Sequence, residues 1–585
     1  MRALCLCVVL FLLLGGVSAS HISNSNSNSN SNSNSNDFMP SNIHSSWEEL
    51  LELLLVHSQE IREYVENLLD PIRLLEGQSI VKQLIAATQV QWELREIVNV
   101  QDRPHFQRYF RISAEKGFDG LRVVDVIANS TGPGQVQLVS FDELPDDFPC
   151  DALSKQFGCR CNVLGQCQRG SVQVDPWTTE MIRFQTYDLN ANSTLNLVQW
   201  AQTHNAYNSR ADGYGGGDNI WGGILKIVYP DFQIVVANQE FSFTDQLRMG
   251  SRAIEIDPHF FNGEMRMCHS GVPDISQVDK VIAVLEKILN RTIDWKTTEI
   301  ACGLWDRLFS NGIQEIATWL KLPENSGEIL HMYLEMHESY IFDKLDLVNG
   351  PLGQYFGDLI YTPADRRAMF GDANKWPTVQ QMLDMGKRVL IGTNDDDAGG
   401  VYVHKNYWRE IGLDTYMDSK KECAGFTDQE FSRVFGSFLC IPPIETSACH
   451  PPYTDELTPT TMRAINRCNI NYAGGDYFTP DVGKASIWSW APGQPTTGLA
   501  CTMMGADGHW YSVACGSAPN FLACQSDQDV DTWTVSSAGG SCPSGYQHSF
   551  PINGKQNDRL FTSASPQQLS SGILLAYRSS SSPPQ

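Results

Sequence analysis

Positive charge is in short supply in this 585-residue chain: 42 Lys and Arg face 67 Asp and Glu, for a formal net charge of −25 at pH 7. With no basic stripe to spare, a nucleic-acid partner is excluded, and so is purely electrostatic docking on anionic lipid; a phosphate would have to be met by a local cation. Long apolar runs are lacking too. Past the stretch Leu4 to Leu14, no segment approaches the ~20 residues a bilayer span needs, so no transmembrane segment is expected. The polar end "AYRSSSSPPQ" carries no hydrophobic lipid-anchor tail. Nor is there a G-x-x-x-x-G-K-[ST] run, so the glycines of "RADGYGGGDNIWGG" read as a loop and not as a phosphate cradle. What remains, 42% hydrophobic and 19% charged residues, is a globular composition spread over a length that calls for several folded units.

The opening "MRALCLCVVLFLLLGGVSAS" has one Arg, a short apolar core and small residues before Ala19, and so reads as a signal peptide over 1–19. A secreted, extracellular protein is expected. Of 16 cysteines, Cys5 and Cys7 leave with that peptide and an even number stays, as suits disulfides in an oxidising compartment. Asn129, Asn192 and Asn290 lie in sequons, candidate glycosylation sites of a glycoprotein. Residues 20–45 carry a Ser-Asn repeat with nothing to bury, a disordered leader.

An N-terminal α+β region is expected over 46–183, helical from Trp47 to about Val98, then strands in "FQRYFRISAEKGFDGLRVVDVIAN" and "GQVQLVSF". It closes on Cys150, Cys159, Cys161 and Cys167, a cluster without a nearby His that reads as disulfides and not as a metal site. Over 184–445 strand-like runs ("LVQWAQT", "RAIEIDPHF", "EMRMCHS", "ILHMYLEMH", "DLIYT", "KRVLIGT") alternate with helix-like ones ("DISQVDKVIAVLEKILN", "NGIQEIATWLKL", "TVQQMLDMG"). Such alternation predicts an α/β fold, a TIM barrel with its site at the C-terminal strand ends. Residues 446–575, rich in Gly, Ser, Trp, Pro and Cys, read as a small disulfide-rich β module.

The chemistry gathers at strand ends. His204 and Asn205 come after "NLVQW" in "THNAYNS"; Glu255 and Asp257, two apart, share one face of a strand; His269 ends the next run; and Glu335 lies in "HMYLEMHES". Two carboxylates on one face call for a cation between them, either Arg252 or Arg248 in an ion pair or a metal. Carboxylates and an amide oxygen are hard donors that suit Ca²⁺ or Mg²⁺. His259 and His337 read as structural, and the acidic run Asp395 to Asp397 as a solvated loop.

"THNAYNS", "GSRAIEIDPHFFNGEMRMCHSG" and "MYLEMHE", in that order, resemble the catalytic X region of the phosphoinositide-specific phospholipases C, and "WPTVQQMLDMGKRVLIGT" is similar to the later helix and strand of that superfamily. The likeness covers roughly 195–395. It implies a phosphoric diester hydrolase acting on a phosphatidylinositol-like phospholipid, with His204 and His269 as the histidine pair and Asn205, Glu255, Asp257 and Glu335 as calcium ligands. His269 would protonate the leaving group, His204 would stabilise the phosphorane, and Glu255 or Glu335 would act as base with calcium bound, His204 taking that role without it. Neither a partner Y region nor a basic inositol-phosphate patch is present. A sphingomyelinase D or glycerophosphodiesterase chemistry, and a non-catalytic binding protein, stand as alternatives. "WSWAPGQP" with Cys501, Trp510, Cys515 and Cys524 resembles the end of a C-type lectin-like domain. That resemblance implies a Cys501–Cys515 bridge, an outer bridge to Cys524, and a glycan partner read at Gln494-Pro495-Thr496, where Thr496 departs from the sugar-binding pattern.

Overall fold

The computed structural model describes residues 92–97, 108–114, 124–132, 135–139, 150, 154–161, 166–212, 237–261, 264–268, 306–336, 344–371, 373–394, 400–405, 407–412, 431–436, 457–468 and 470–578, with isolated helical positions at 56, 59, 283, 284 and 287. The signal peptide, the Ser-Asn leader, His269, His337, Asn290 and Asp395 to Asp397 lie outside them.

The first four strands, β1 (Trp92–Ile97), β2 (Arg108–Ala114), β3 (Val124–Gly132) and β4 (Gln135–Val139), form an antiparallel meander. The helix expected to run to about Val98 is thus corrected over Trp92–Ile97, which is a strand. "WELREI" is too short for its periodicity to choose a state, and pairing from Trp92↔Ala114 to Ile97↔Tyr109 makes the choice. Asn129 lies in β3, and Asn192 is exposed in a turn. Two disulfides, Cys150–Cys161 and Cys159–Cys167, settle the cysteine cluster as a knot. The carboxylate of Asp245 accepts the Gly170 and Val172 N–H groups and ties the segment just past this knot to the next sheet's helices.

That next sheet is parallel throughout. Its strands are β5 (Trp200–Thr203), β6 (Ala253–Ile256), β9 (Leu330–Leu334), β10 (Ile360–Tyr361), β11 (Val389–Gly392), β12 (Val403–His404), β13 (Trp408–Gly412), β14 (Phe431–Gly436) and β15 (Tyr472–Gly475), in the order β10-β11-β9-β6-β5-β15-β14-β13 with β12 on β11. A hairpin, β7 (Pro258–Phe261) with β8 (Glu264–Met267), comes directly after β6. Alternate residues divide between two faces. Ile254, Ile256, Met332, Leu334, Val389 and Ile391 pack outward on helices Phe309–Leu320 and Leu345–Tyr355. The inner face is aromatic: Trp200, Tyr333, Tyr407, Trp408, Phe431 and Tyr472 pack together.

The sheet curls. Tyr333 of β9 stacks on Trp408 of β13 at 3.8 Å, although four strands separate them in the ladder. Yet among the described residues no ladder joins β13 to β10, β11 or β12, so the expected TIM barrel is a curled parallel half-barrel. At the seam the Asn394 side chain substitutes for a strand, its oxygen accepting the N–H groups of Tyr407 (2.9 Å) and Trp408 (3.2 Å). β15 is a second correction. It sits between β5 and β14, so the sheet continues beyond residue 445 into what the sequence assigned to the C-terminal module. "YAGG" gave no strand signal because glycine is a poor strand former.

The C-terminal module holds two three-stranded sheets. One is built from β16 (Cys501–Met504), β17 (Trp510–Val513) and β21 (Ile573–Arg578); the other from β18 (Ala523–Ser526), β19 (Trp533–Val535) and β20 (Tyr546–His548). Trp490 and Trp510 centre a core shared with Met181, Ile182 and Phe184, so the module packs against the helical segment 176–188 that precedes β5. Cys501–Cys515 forms as expected, whereas Cys524 of β18 pairs with Cys542, in the connection between β19 and β20, the two strands that flank β18. Cys268 and Cys468 are disulfide-bonded too. No helix among the described residues is long and apolar enough to cross a membrane.

Candidate functional site

The parallel strands deliver their inner-face side chains, at their C-terminal ends, to one region. β5 stops at Thr203, and the turn after it straddles two neighbours: His204 N–H donates to Gly475 O (3.2 Å) and Ala206 N–H to Glu255 O (3.0 Å). Between them Asn205 takes φ +42°, a left-handed conformation that asparagine tolerates better than most residues. Gln239 secures the turn by donating its amide N–H groups to the carbonyls of His204 (2.7 Å) and Gly475 (3.0 Å).

His204 is 8% exposed, and its Nδ1 lies 2.8 Å from Oδ1 of Asp476, the residue that follows β15. Asn238 donates to both Asp476 oxygens at 3.0 Å and fixes that carboxylate. Burial, the largest influence, pushes the imidazole pKa down; the negative charges of Asp476 and Glu255 outweigh it and hold the pKa up at about 9. His204 is therefore an imidazolium at neutral pH, with Nδ1–H donated to Asp476.

On the neighbouring strands, Glu255, Asp257 and Glu335 each offer a carboxylate oxygen within 4.8 Å of the others. Glu255 (1% exposed) and Asp257 (2%) are buried, and Glu335 is half-buried. Tyr207 donates its hydroxyl to Asp257 at 3.0 Å, which links the carboxylates to the His204 turn. Burial raises the pKa of Glu255, a rise only partly opposed by Arg433 and His204.

The ion pair weighed against a metal for Glu255 and Asp257 forms at Glu255 with a different partner. Arg252 is taken by Glu328 (2.6 and 3.0 Å), and Arg248 reaches Asp245 (3.1 Å). Arg433 of β14, across the curled sheet, grips both Glu255 oxygens and reaches Glu410 of β13 at 2.6 Å. Its guanidinium lies 4.6 Å from the centre of the Trp408 ring. A Cβ on Gly474 would collide with Gln202 Oε1 and come within 3.1 Å of Arg433 Nε, so a glycine is required there for the inner face to close.

The donors fit a hard divalent cation. Two oxygens each 2.3–2.6 Å from one Ca²⁺ are at most about 5 Å apart, and the carboxylate cluster meets that limit before any rearrangement. Glu255, Asp257 and Glu335 would hold the ion, with Asn205 beside them on the turn.

Of the residues singled out in the sequence, His204, Asn205, Glu255, Asp257 and Glu335 are thus brought to one end of the sheet, while His269 lies outside the described residues. His259 is fully buried in the β7–β8 hairpin. Asp476, Asn238, Arg433 and Glu410 were missed. Arg433 left a trace, a lone cation in the alternating run "FSRVFG"; Asp476 left none, because its strand did not read as one.

Comparison with known proteins gives distant relatives. Two uncharacterised proteins of Mycobacterium tuberculosis strains are each 26% identical to this chain over 421 residues, covering 67% of it and 78% of theirs. A "PI-PLC X domain-containing protein" of Arabidopsis thaliana is 21% identical over 302 residues, covering 48% of this chain and 58% of that one. No family model matches the sequence, and no solved structure matches it. The similarity to a phospholipase C X-domain protein agrees with the ordered motifs and with the parallel sheet that carries them.

Proposed function

We propose that the protein is a metal-assisted phosphodiesterase of the phospholipase C type, acting on a phosphatidylinositol-like lipid. The observation that carries this reading is the meeting of the Asp476-held imidazolium of His204 with the Glu255, Asp257 and Glu335 cluster at the C-terminal strand ends. A bound Ca²⁺ or Mg²⁺ would offset the diester's charge and acidify an attacking hydroxyl.

The chain's own residues do the rest. His204, cationic at neutral pH, donates from Nε2 to a non-bridging phosphoryl oxygen and stabilises the charge that builds there, while Asp476 fixes its tautomer and ring plane. A group already protonated is poorly suited to act as base. Glu255, whose pKa burial raises, is the better acceptor for the attacking hydroxyl's proton, and Glu335 is its neighbour for the same role. His269 is assigned the proton delivered to the leaving alcohol. The disulfides fit an oxidising compartment, and a secreted protein is the reading we adopt.

The test is to incubate the mature protein with phosphatidylinositol, sphingomyelin or lysophosphatidylcholine, with calcium or with chelator, and to monitor soluble phosphates by ³¹P NMR. A cyclic inositol phosphate that disappears with chelator is expected. Failure to turn over any of the three lipids in calcium would overturn the assignment.

A further inference from the structure

Arg433 stands where a metal-site residue would not be expected: its guanidinium is joined to both oxygens of Glu255, one of the three clustered carboxylates. It is buried, with its side chain 3% exposed. A positive group locked onto a candidate ligand either is a fixed strut or competes with the ion.

Three features favour competition. Glu410 is the direct cross-strand partner of Arg433 in the β13–β14 ladder, and the two are already joined at 2.6 Å, so Arg433 has a second carboxylate to hold if it releases Glu255. Glu410 is also the wetter of the two, its side chain 18% exposed against 2% for Glu255. Finally, the guanidinium lies over the Trp408 ring, whose face holds a cation without fixing its in-plane position.

We infer that Arg433 is a resident counter-ion of the carboxylate cluster, occupying Glu255 when no divalent cation is bound and passing to Glu410 when one binds. The inference rests on the cluster's being a divalent-cation site. Its consequence is that Arg433 and Glu410 tune cation affinity in opposite directions. Arg433 opposes the ion through like charge and by occupying its ligand, whereas Glu410 helps the ion by drawing Arg433 away.

The experiment is isothermal titration of the full mature chain with CaCl₂ alone, in the absence of lipid, for the wild type, Arg433→Gln and Glu410→Gln, with thermal melts to establish folding. Calcium affinity should rise about tenfold in Arg433→Gln and fall at least about fivefold in Glu410→Gln, a size typical of coupled sites. A strut role would predict weaker or unchanged binding in both variants. Calcium binding by the wild type with an unchanged or weakened Arg433→Gln would overturn the competition while leaving the metal reading intact. Should Arg433→Gln fail to fold, Arg433→Lys, which keeps the charge but loses the two-pronged grip on Glu255, takes its place: tighter calcium binding is expected, and unchanged or weaker binding would refute the inference. No calcium binding by the wild type would remove the metal site itself, and the inference with it.

Discussion

Two buried histidines on the inner face show how environment separates a reactive group from a structural one. His331 has Nδ1 against the hydroxyls of Tyr407 (2.9 Å) and Tyr472 (2.6 Å), and burial with no compensating charge pushes its pKa down to about 3. It stays neutral and belongs to the aromatic floor. His204, at the strand end, is held near 9 by carboxylates. The difference is Asp476, which supplies charge and orientation together. Asp476→Asn should therefore lower turnover by about 10²–10⁴-fold, the span for a positioned catalytic group, and should also lower the melting temperature, because it leaves the buried His204 without its charged partner. Initial rates and a thermal melt check both; a loss under threefold would remove Asp476 from the mechanism. The pattern of motifs carried His204 and the three carboxylates, but nothing local to Asp476 marked it.

Among the elements, β15 matters most to the site and was least visible in the sequence. Four residues with two glycines give no strand signal, yet the chain between β5 and β14 has to be this thin. Gly474→Ala would force Gln202 and Arg433 aside, an overpacking that should cost about 1–3 kcal/mol and disturb the Glu255 contact. Denaturant melts measure the cost, and a neutral result would show that the inner face has slack. The opposite, N-terminal end of the strands depends on a charge pair, since Arg252 and Glu328 are both buried and joined by two hydrogen bonds. Arg252→Ala leaves the Glu328 carboxylate buried without that partner and should cost about 3–5 kcal/mol, read from the same melts.

Over the whole molecule, these buried pairs set the acid limit of stability. Burial alone would raise the pKa of Glu328 and of Glu315, but Arg252 and Arg183 around the first, and Arg169 and Arg307 around the second, outweigh it and leave both below the ordinary 4.5. A carboxylate with a depressed folded pKa stabilises the fold at pH values above its unfolded pKa and loses that contribution as pH falls through its folded pKa. The contribution of these two carboxylates should thus be lost below about pH 4.5, where melting temperature should fall less steeply in Glu328→Gln than in the wild type. A fall of equal slope in that variant would assign the acid sensitivity elsewhere. The C-terminal module has its own staple, Cys524–Cys542; replacing both by Ala should cost about 2–4 kcal/mol and loosen the β18-β19-β20 sheet.

The sequence by itself determined the alternation of apolar runs that becomes the parallel sheet, the face shared by Glu255 and Asp257, and the turn that carries His204 and Asn205. Those are local facts, written in period-two spacing and in residue type. Only the tertiary structure decided which cation meets Glu255, that β15 inserts beside β5 to bring Asp476 under His204, that Trp92–Ile97 is a strand, and that the sheet curls with no ladder at its seam among the described residues. Each of these depends on groups far apart in the chain, and which carboxylate meets which guanidinium is set by curl and strand order, quantities that no run of neighbouring residues encodes.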